Sequence, residues 1–163
     1  MELSDQQLLA NRCTRKDAHA FQAIVQRHAT MVFHTALRIL NNPADAEDTT
    51  QQCFETLIIT KEITHISSLG AWLHGIATKR SPMHIRADSR RSQREQHYAE
   101  QNDSVDEAQQ WRDIYPLIDE ALHELDEQYR IPLIAHFLNG QTQASISKEL
   151  DISKSTVSTR IND

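Results

Sequence analysis

Scarcity of glycine is the feature that most limits what this chain can fold into. Of its 163 residues three are glycine, Gly70, Gly75 and Gly140. A phosphate-binding loop needs several glycines close together, because its backbone must approach the ligand and adopt positive φ angles. A β-barrel or β-sandwich needs many tight turns, which also require glycine. The sequence therefore argues against nucleotide-cradling folds and predicts an all-α protein.

Apolar residues occur in short runs, so the sequence predicts no membrane insertion. Residues 1–9 lack the basic and apolar blocks of a signal peptide, and we expect a cytoplasmic protein. Cys13 and Cys53 form no C-x-x-C motif, which argues against a disulfide framework or a thiolate zinc site. We interpret Cys53 as a small core residue. The nine histidines are scattered and form no H-E-x-x-H, so we expect neither a metal site nor any other cofactor.

The first half of the chain has apolar residues at the spacing of three amphipathic helices. One spans roughly residues 17–41, and Asn42 followed by Pro43 predicts the start of the next. Ser67 or Ser68 is expected to cap the third, after a loop from residue 58 to 66, and residues 1–16 are expected to be a tail. The predicted buried faces are Phe21, Ile24, Val25, Val32, Ala36, Ile39 and Leu40, then Ala46, Cys53, Phe54, Leu57 and Ile58, then Leu69, Trp72, Leu73, Ile76 and Ala77.

Charge changes sign abruptly in the middle of the chain. Residues 79–94 carry six Lys or Arg and one Asp, whereas residues 95–110 carry five Asp or Glu and no Lys or Arg. An acidic stretch with few apolar residues cannot bury enough surface to fold by itself. We therefore predict a flexible acidic linker over residues 95–112, which separates a helical domain at 17–94 from a second one at 113–163.

The second domain reads as a helix-turn-helix. Pro132 lies inside an apolar pattern and predicts a kink or a late helix start, and Gly140 predicts a left-handed helix cap. A short helix over 141–150, a tight turn and a last helix capped by Ser153 complete the pattern. The residues expected to be buried are Ile114, Leu117, Ile118, Ala121, Leu122 and Leu125, then Ile131, Leu133, Ile134, Phe137 and Leu138, then Ile146, Leu150, Val157 and Ile161.

Three groups of side chains have both a functional and a plain structural interpretation. The last helix presents donors that reach phosphates and base edges in a major groove, although an ordinary helical hairpin can also have a polar face. The basic tract 79–94 suits a phosphate backbone or is simply a solvated helix face. Acidic residues near Asn42 suit helix capping or a protein partner better than catalysis. No nucleophile stands beside a base, so the sequence gives no support for an enzyme.

These residues together resemble a bacterial sigma factor of the sigma-70 family, of the compact extracytoplasmic-function (ECF) type with regions two and four only. The residues that resemble region two are 20–28, 36–40, 69–77 and Asp45-Ala-Glu-Asp48 with Gln51 and Phe54. Region four is resembled by residues 122–125, Tyr129-Arg-Ile-Pro132 and the helix-turn-helix.

The resemblance implies three binding surfaces and two partners, core RNA polymerase and promoter DNA, and it leaves room for an anti-sigma protein as a further partner. Residues implied to lie on the polymerase-docking helix are Asp45, Glu47, Asp48, Gln51 and Phe54. Those implied to meet the minus-ten element are Lys61, His65, Trp72, Lys79, Arg80, Arg86, Arg90 and Arg91. Those implied to enter the major groove of the minus-thirty-five element are Ser153, Lys154, Ser155, Thr156, Ser158, Thr159 and Arg160.

Two departures from the family pattern leave an alternative open. Pro82 stands where the family usually continues one helix into its basic region. The chain stops at Asp163, about nine residues into the last predicted helix, so we expect that helix to fray and region four to be incomplete and to bind DNA weakly. The leading hypothesis is a sigma factor that directs promoter recognition and transcription initiation. The alternative is a degenerate or truncated sigma-like interaction module that binds polymerase or an anti-sigma protein without recognising promoters.

Overall fold

The computed structural model of this chain describes residues 3–15, 17–60, 63, 66–81 and 107–162; within helices, the side chains of residues 13–15, 107–113, 115 and 116 are not described. No β-strand occurs within these ranges, and the all-α prediction is confirmed. A π-helical turn, Ile134–Leu138, joins two of the α-helices. The α-helices are α1 Asp5–Arg15, α2 Ala18–Leu40, α3 Pro43–Ile59, α4 Leu69–Arg80, α5 Glu107–Glu124, α6 Glu127–Leu133, α7 Gln143–Leu150 and α8 Lys154–Asn162.

Helices α1–α4 form the N-terminal bundle, and α2 is its central element. The Asp17 carboxylate caps α2 by accepting hydrogen bonds from the backbone N–H groups of His19 and Ala20. The helix ends at Leu40 because Asn41 adopts a left-handed conformation, with φ of 50°. This agrees with the predicted range 17–41. Its apolar face packs on α3 and α4 around Ile24, Val32, Cys53, Leu57 and Leu73.

Both predicted helix starts in this bundle are confirmed. Asn42 accepts a hydrogen bond from the Ala44 N–H with Pro43 at the first helical position, and Ser68 accepts one from the Ala71 N–H. The predicted buried position Ile58 is wrong, because its side chain is 56% exposed. Helix α3 runs past the core contacts of Leu57, so its last turn points Ile58 away from the bundle.

Residues 5–15 are a helix and not part of the expected tail. Leu8 and Leu9 of α1 are buried in the same core as α2. The carboxylate of Asp5 pairs with Arg27 and lies 2.7 Å from Nε2 of His28. Two buried leucines and one buried carboxylate thus hold this segment to the bundle. Two apolar residues in so short a stretch are too weak a pattern to predict a packed helix.

Helix α5 differs from its prediction in two ways. It begins at Glu107, so the expected linker is helical over 107–112, while residues 95–106 lie outside the described residues. Its predicted buried stripe is wrong at most positions, since Ile114, Leu117, Ile118, Ala121 and Leu125 are exposed and Leu122 is half-buried. The helix instead turns Asp119, which is 0% exposed, toward α2 and α4.

Helices α6–α8 and the π-helical turn form the C-terminal bundle, whereas α5 packs against α2 and α4 of the N-terminal bundle. The predicted late start at Pro132 is wrong: α6 begins at Glu127 and includes the proline. The chain becomes π-helical directly after α6, with the Asn139 N–H donating to the Ile134 carbonyl. Gly140 has a φ of 65°, as its predicted left-handed conformation requires. A small core of Ala135, Ile146 and Val157 holds α7 and α8 together. Phe137, which was expected to be buried, is 65% exposed.

Candidate functional site

The first turns of α3 present a continuous acidic surface. Because Ala46, Thr49 and Cys53 face the core, the other side of the helix is turned to solvent. Gln51 on that side donates a hydrogen bond of 2.8 Å to Glu55. The exposed residues of the acidic surface are Asp45, Glu47, Asp48 and Gln51.

Phe54 does not belong to this surface, although the resemblance placed it there. Its side chain is 7% exposed and packs edge-to-face on Phe21 of α2, with ring centroids 6.5 Å apart. A partner cannot reach it without opening the bundle. Phe54 therefore anchors α3 to the core.

A basic surface lies at the C-terminal end of α4. Leu69, Leu73 and Ala77 are buried, which leaves Lys79 and Arg80 exposed in the last turn. The guanidinium of Arg80 donates to the side chains of Thr56, at 2.8 Å, and Gln52, at 3.4 Å, so this end of α4 lies against the second half of α3. Trp72, which was predicted to be buried, is half-buried and packs on the core. Lys61, His65, Arg86, Arg90 and Arg91 lie outside the described residues.

Arg12 of α1 stabilises the C-terminal end of α3, a contact that the sequence did not predict. Its guanidinium donates to the backbone carbonyls of Leu57, Ile58 and Thr60 at the end of α3. These carbonyls have no partner within the helix, and a cation there also complements the helix dipole. No spacing rule links residues 12 and 57, so the sequence offers no signal for this contact.

Helices α7 and α8 have the geometry of a helix-turn-helix. Asp151 closes α7 in a left-handed conformation with φ of 53°. Ser153 then caps α8: its Oγ accepts a hydrogen bond of 3.0 Å from the Thr156 N–H and lies within 2.8 Å of the Thr156 hydroxyl. Val157 faces the small core. The polar side chains of α8 and its cap are exposed at Ser153, Lys154, Ser155 and Thr159 and half-buried at Thr156, Ser158 and Arg160.

Helix α5 packs against the N-terminal bundle along a seam that the sequence pattern did not predict. Asp119 of α5 accepts hydrogen bonds from Arg38 of α2 and lies 2.9 Å from Nε2 of His74 in α4. Burial by itself raises the pKa of the Asp119 carboxyl, but the hydrogen bonds and charges of His74 and Arg38 outweigh it and hold that pKa below its usual value. The aspartate is therefore ionised at neutral pH.

The part of the chain that the structure describes has no cluster of three or more His, Cys, Asp or Glu side chains that could hold a metal ion. Among the same residues, no helix is both long and apolar enough to cross a bilayer.

Comparison with known families identifies both halves of the chain. The family model for Sigma-70 region 2 matches residues 24–91, and the model for Sigma-70 region 4 matches residues 116–162. The chain belongs to the sigma-70 family. The region 2 match covers most of the N-terminal bundle, and the region 4 match covers the helix-turn-helix with half of α5.

Named relatives identify the type within the family. The chain is 26% identical over 172 residues to the ECF RNA polymerase sigma factor SigK of Mycobacterium sp. strain JLS, covering 98% of this chain and 86% of the relative. It is 28% identical over 167 residues to the protein of the same name from Mycobacterium ulcerans strain Agy99, covering 98% and 89%. This ECF sigma factor serves promoter recognition and transcription initiation, and its family points to a protein without enzymatic activity of its own.

Proposed function

We propose that this sigma factor docks on core RNA polymerase through the acidic surface of α3 and meets promoter DNA through the basic end of α4 and the exposed face of α8. The observation that carries the proposal is that opposite charges lie beside the two halves of α3. Asp45, Glu47 and Asp48 occupy its first turns, whereas Arg80 lies against Gln52 and Thr56 further along. A protein partner and a nucleic acid can therefore approach neighbouring surfaces of opposite charge.

The minus-ten surface is assigned to Trp72, Lys79 and Arg80 of α4. Cations at Lys79 and Arg80 suit phosphate contacts, and the half-buried Trp72 holds the helix to the core while presenting part of its ring. The resemblance alone adds five further residues to this surface, Lys61, His65, Arg86, Arg90 and Arg91.

The minus-thirty-five surface is assigned to α8 and its cap. Exposed hydroxyl groups with Lys154 and Arg160 offer donors to phosphates and base edges, and the fixed cap at Ser153 sets the angle at which the helix leaves the turn. Since the partner is RNA polymerase, we place the protein in the cytoplasm. An anti-sigma protein remains a further proposed partner.

Run-off transcription tests the function directly. Purified core polymerase, genomic promoter fragments and this protein are combined, and a product that disappears when the protein is omitted supports the proposal. Absence of any protein-dependent product, with core polymerase that is active alongside another sigma factor, would refute it.

Charge reversal tests the docking surface. The double variant Glu47→Lys/Asp48→Lys should weaken binding to core polymerase by about tenfold or more. The two lysines would then face the basic groups of the polymerase that the acidic surface is proposed to bind. The matched control is Asp126→Lys/Glu127→Lys, which reverses another exposed acidic pair at a helix start. Affinity is measured by fluorescence anisotropy of the labelled protein. Equal affinities for the docking variant and the unmodified protein would show that the acidic surface of α3 is not the docking site.

A further inference from the structure

His28 of α2 has one ring nitrogen without a hydrogen-bond partner in the interior of the protein. Its side chain is 1% exposed, and Nε2 lies 2.7 Å from Oδ2 of Asp5. Burial raises the pKa of the Asp5 carboxyl, but the hydrogen bonds and charges of His28 and Arg27 outweigh it and keep the carboxylate ionised. The carboxylate therefore accepts a hydrogen bond from Nε2–H. In the neutral imidazole Nδ1 is then an acceptor, and it has no partner among the described residues.

Two amide oxygens are in the same condition. Oδ1 of Asn139 and Oε1 of Gln141 are buried and lack a hydrogen-bond partner within the described part of the chain. Together with His28, these residues line one small cavity of about 10 Å³, which is room for a single water-sized group. Burying three acceptors without donors is unfavourable, so the cavity favours a group that donates hydrogen bonds to them.

The cavity also has negative charge at its border. Asp5 and Glu149 line it, whereas no Lys or Arg among the described residues does. Burial and then the charge of Asp5 raise the pKa of the Glu149 carboxyl, because the two carboxylates repel each other. A cation in the cavity would offset that repulsion.

Gly70, at the start of α4, keeps the space between these side chains open. A Cβ at this position would lie 2.5 Å from Nδ2 of Asn139 and 3.6 Å from Cε1 of His28. Any side chain there would crowd two of the residues that line the cavity.

A larger cleft of about 650 Å³ adjoins the cavity and shares several lining residues with it, among them His28 and Gln141. Its volume is within the range of small-molecule sites. Serine and glutamine side chains form much of its remaining wall, at Ser4, Gln6, Gln7 and Ser145. The cleft therefore suits the polar body of a small molecule.

We propose that the cavity binds a primary ammonium group, which is either the ammonium ion or one end of a small polar molecule whose body lies in the cleft. Such a group supplies three N–H donors for the acceptors of His28, Asn139 and Gln141, and its positive charge lies beside two carboxylates. The site goes beyond promoter recognition, and its test needs neither polymerase nor DNA.

Other cations fit these residues less well. Among the described residues no three His, Cys, Asp or Glu side chains are arranged to hold a metal ion. Potassium prefers oxygen ligands to an imidazole nitrogen, as hard cations do. A quaternary ammonium has no N–H to donate, and no Phe, Tyr or Trp of the described residues lines the cavity or the cleft to bind it by a cation–π contact.

Thermal unfolding of the full-length protein at pH 8, followed by circular dichroism, tests the choice of ligand. A ligand that binds only the folded protein raises the unfolding midpoint. Ammonium chloride at about 200 mM should raise the midpoint by about 3 °C or more relative to potassium chloride at the same concentration. Ethanolamine should do the same relative to choline, which carries methyl groups in place of the N–H donors. The larger of the two effects distinguishes the ammonium ion from a larger amine.

A pair of histidine variants assigns the effect to the cavity. His28→Gln keeps an amide N–H for Asp5 and removes the Nδ1 acceptor. His74→Gln is the matched control, because His74 is also buried and lies 2.9 Å from a carboxylate, that of Asp119, but lines neither the cavity nor the cleft. We expect the ammonium effect to be lost in His28→Gln and kept in His74→Gln.

A pair of glutamine variants guards against unfolding of His28→Gln. Gln141→Met removes one amide oxygen from the cavity, and Gln143→Met makes the same change at a half-buried glutamine outside it. The ammonium effect should be lost in the first and kept in the second. Three results would overturn the proposal: equal midpoints in ammonium and potassium chloride, a choline effect as large as that of ethanolamine, or an ammonium effect that persists in every folded cavity variant.

Discussion

At the scale of single residues, two buried aspartates share one arrangement. Asp5 pairs with Arg27 and His28, and Asp119 pairs with Arg38 and His74. Burial alone would raise the pKa of each aspartate. The hydrogen bonds from its histidine and arginine have the larger combined effect, so the pKa of each lies below its usual value. Two of the scattered histidines, His28 and His74, thus serve as partners of buried carboxylates.

Cys53 illustrates how burial controls reactivity. Burial among α2, α3 and α4 raises the pKa of its thiol to about 11, against a small opposing effect of Arg80. At pH 8 the thiolate fraction is then roughly two hundred times smaller than for a free cysteine. In a Cys13→Ser background we expect the native protein to react with a thiol-specific disulfide reagent at least about a hundredfold more slowly than the urea-unfolded protein. Equal rates would contradict the burial of Cys53.

At the scale of elements, caps decide where the helices of both bundles begin. Asn42, Ser68 and Ser153 were identified from local sequence, and each accepts a backbone hydrogen bond in the structure. Such contacts span two or three residues, so the sequence contains all the information needed to predict them. The face that a helix buries depends on contacts that are distant in sequence. Helix α5 shows this, because it buries Asp119 and exposes most of its predicted apolar stripe.

The assignment of α8 to DNA predicts a change in salt dependence. Lys154→Ala removes one exposed cation, so the slope of log affinity against log salt concentration for a minus-thirty-five duplex should become shallower by about one. Ser155→Ala, which removes an uncharged donor next to it, should weaken binding without changing the slope. Titrations by fluorescence anisotropy at several salt concentrations measure both. An unchanged slope for Lys154→Ala would remove this lysine from the phosphate-contacting set.

At the scale of the whole molecule, the buried aspartates link stability to pH. The folded-state pKa of Asp5 lies below its unfolded value, so its contribution is present above the unfolded pKa, about 3.9, and is lost as the pH falls through the folded pKa. Asp5→Asn should reduce the free energy of unfolding by about 3–5 kcal/mol at pH 7. The difference from the unmodified protein should shrink toward pH 2.

Urea unfolding followed by circular dichroism at pH 7 and at pH 2 measures this difference. Gln6→Ala is a suitable control, since it alters an exposed neighbour of Asp5 and carries no titrating group. A difference between Asp5→Asn and the unmodified protein that stays constant with pH would mean that the Asp5 carboxyl has the same pKa in the folded and the unfolded protein.

Sequence alone determined the all-α class, the helices α2 and α3, the starts of α4 and α8 and the family of this protein. These features depend on local periodicity, on caps and on motifs that lie within a few residues of one another. Tertiary structure decided that residues 5–15 belong to the core and that α5 turns Asp119 inward. The partners of Asp119 are 45 and 81 residues away along the chain. No local pattern encodes such a distance, and a carboxylate is stable inside a protein only when the whole fold brings its partners to it.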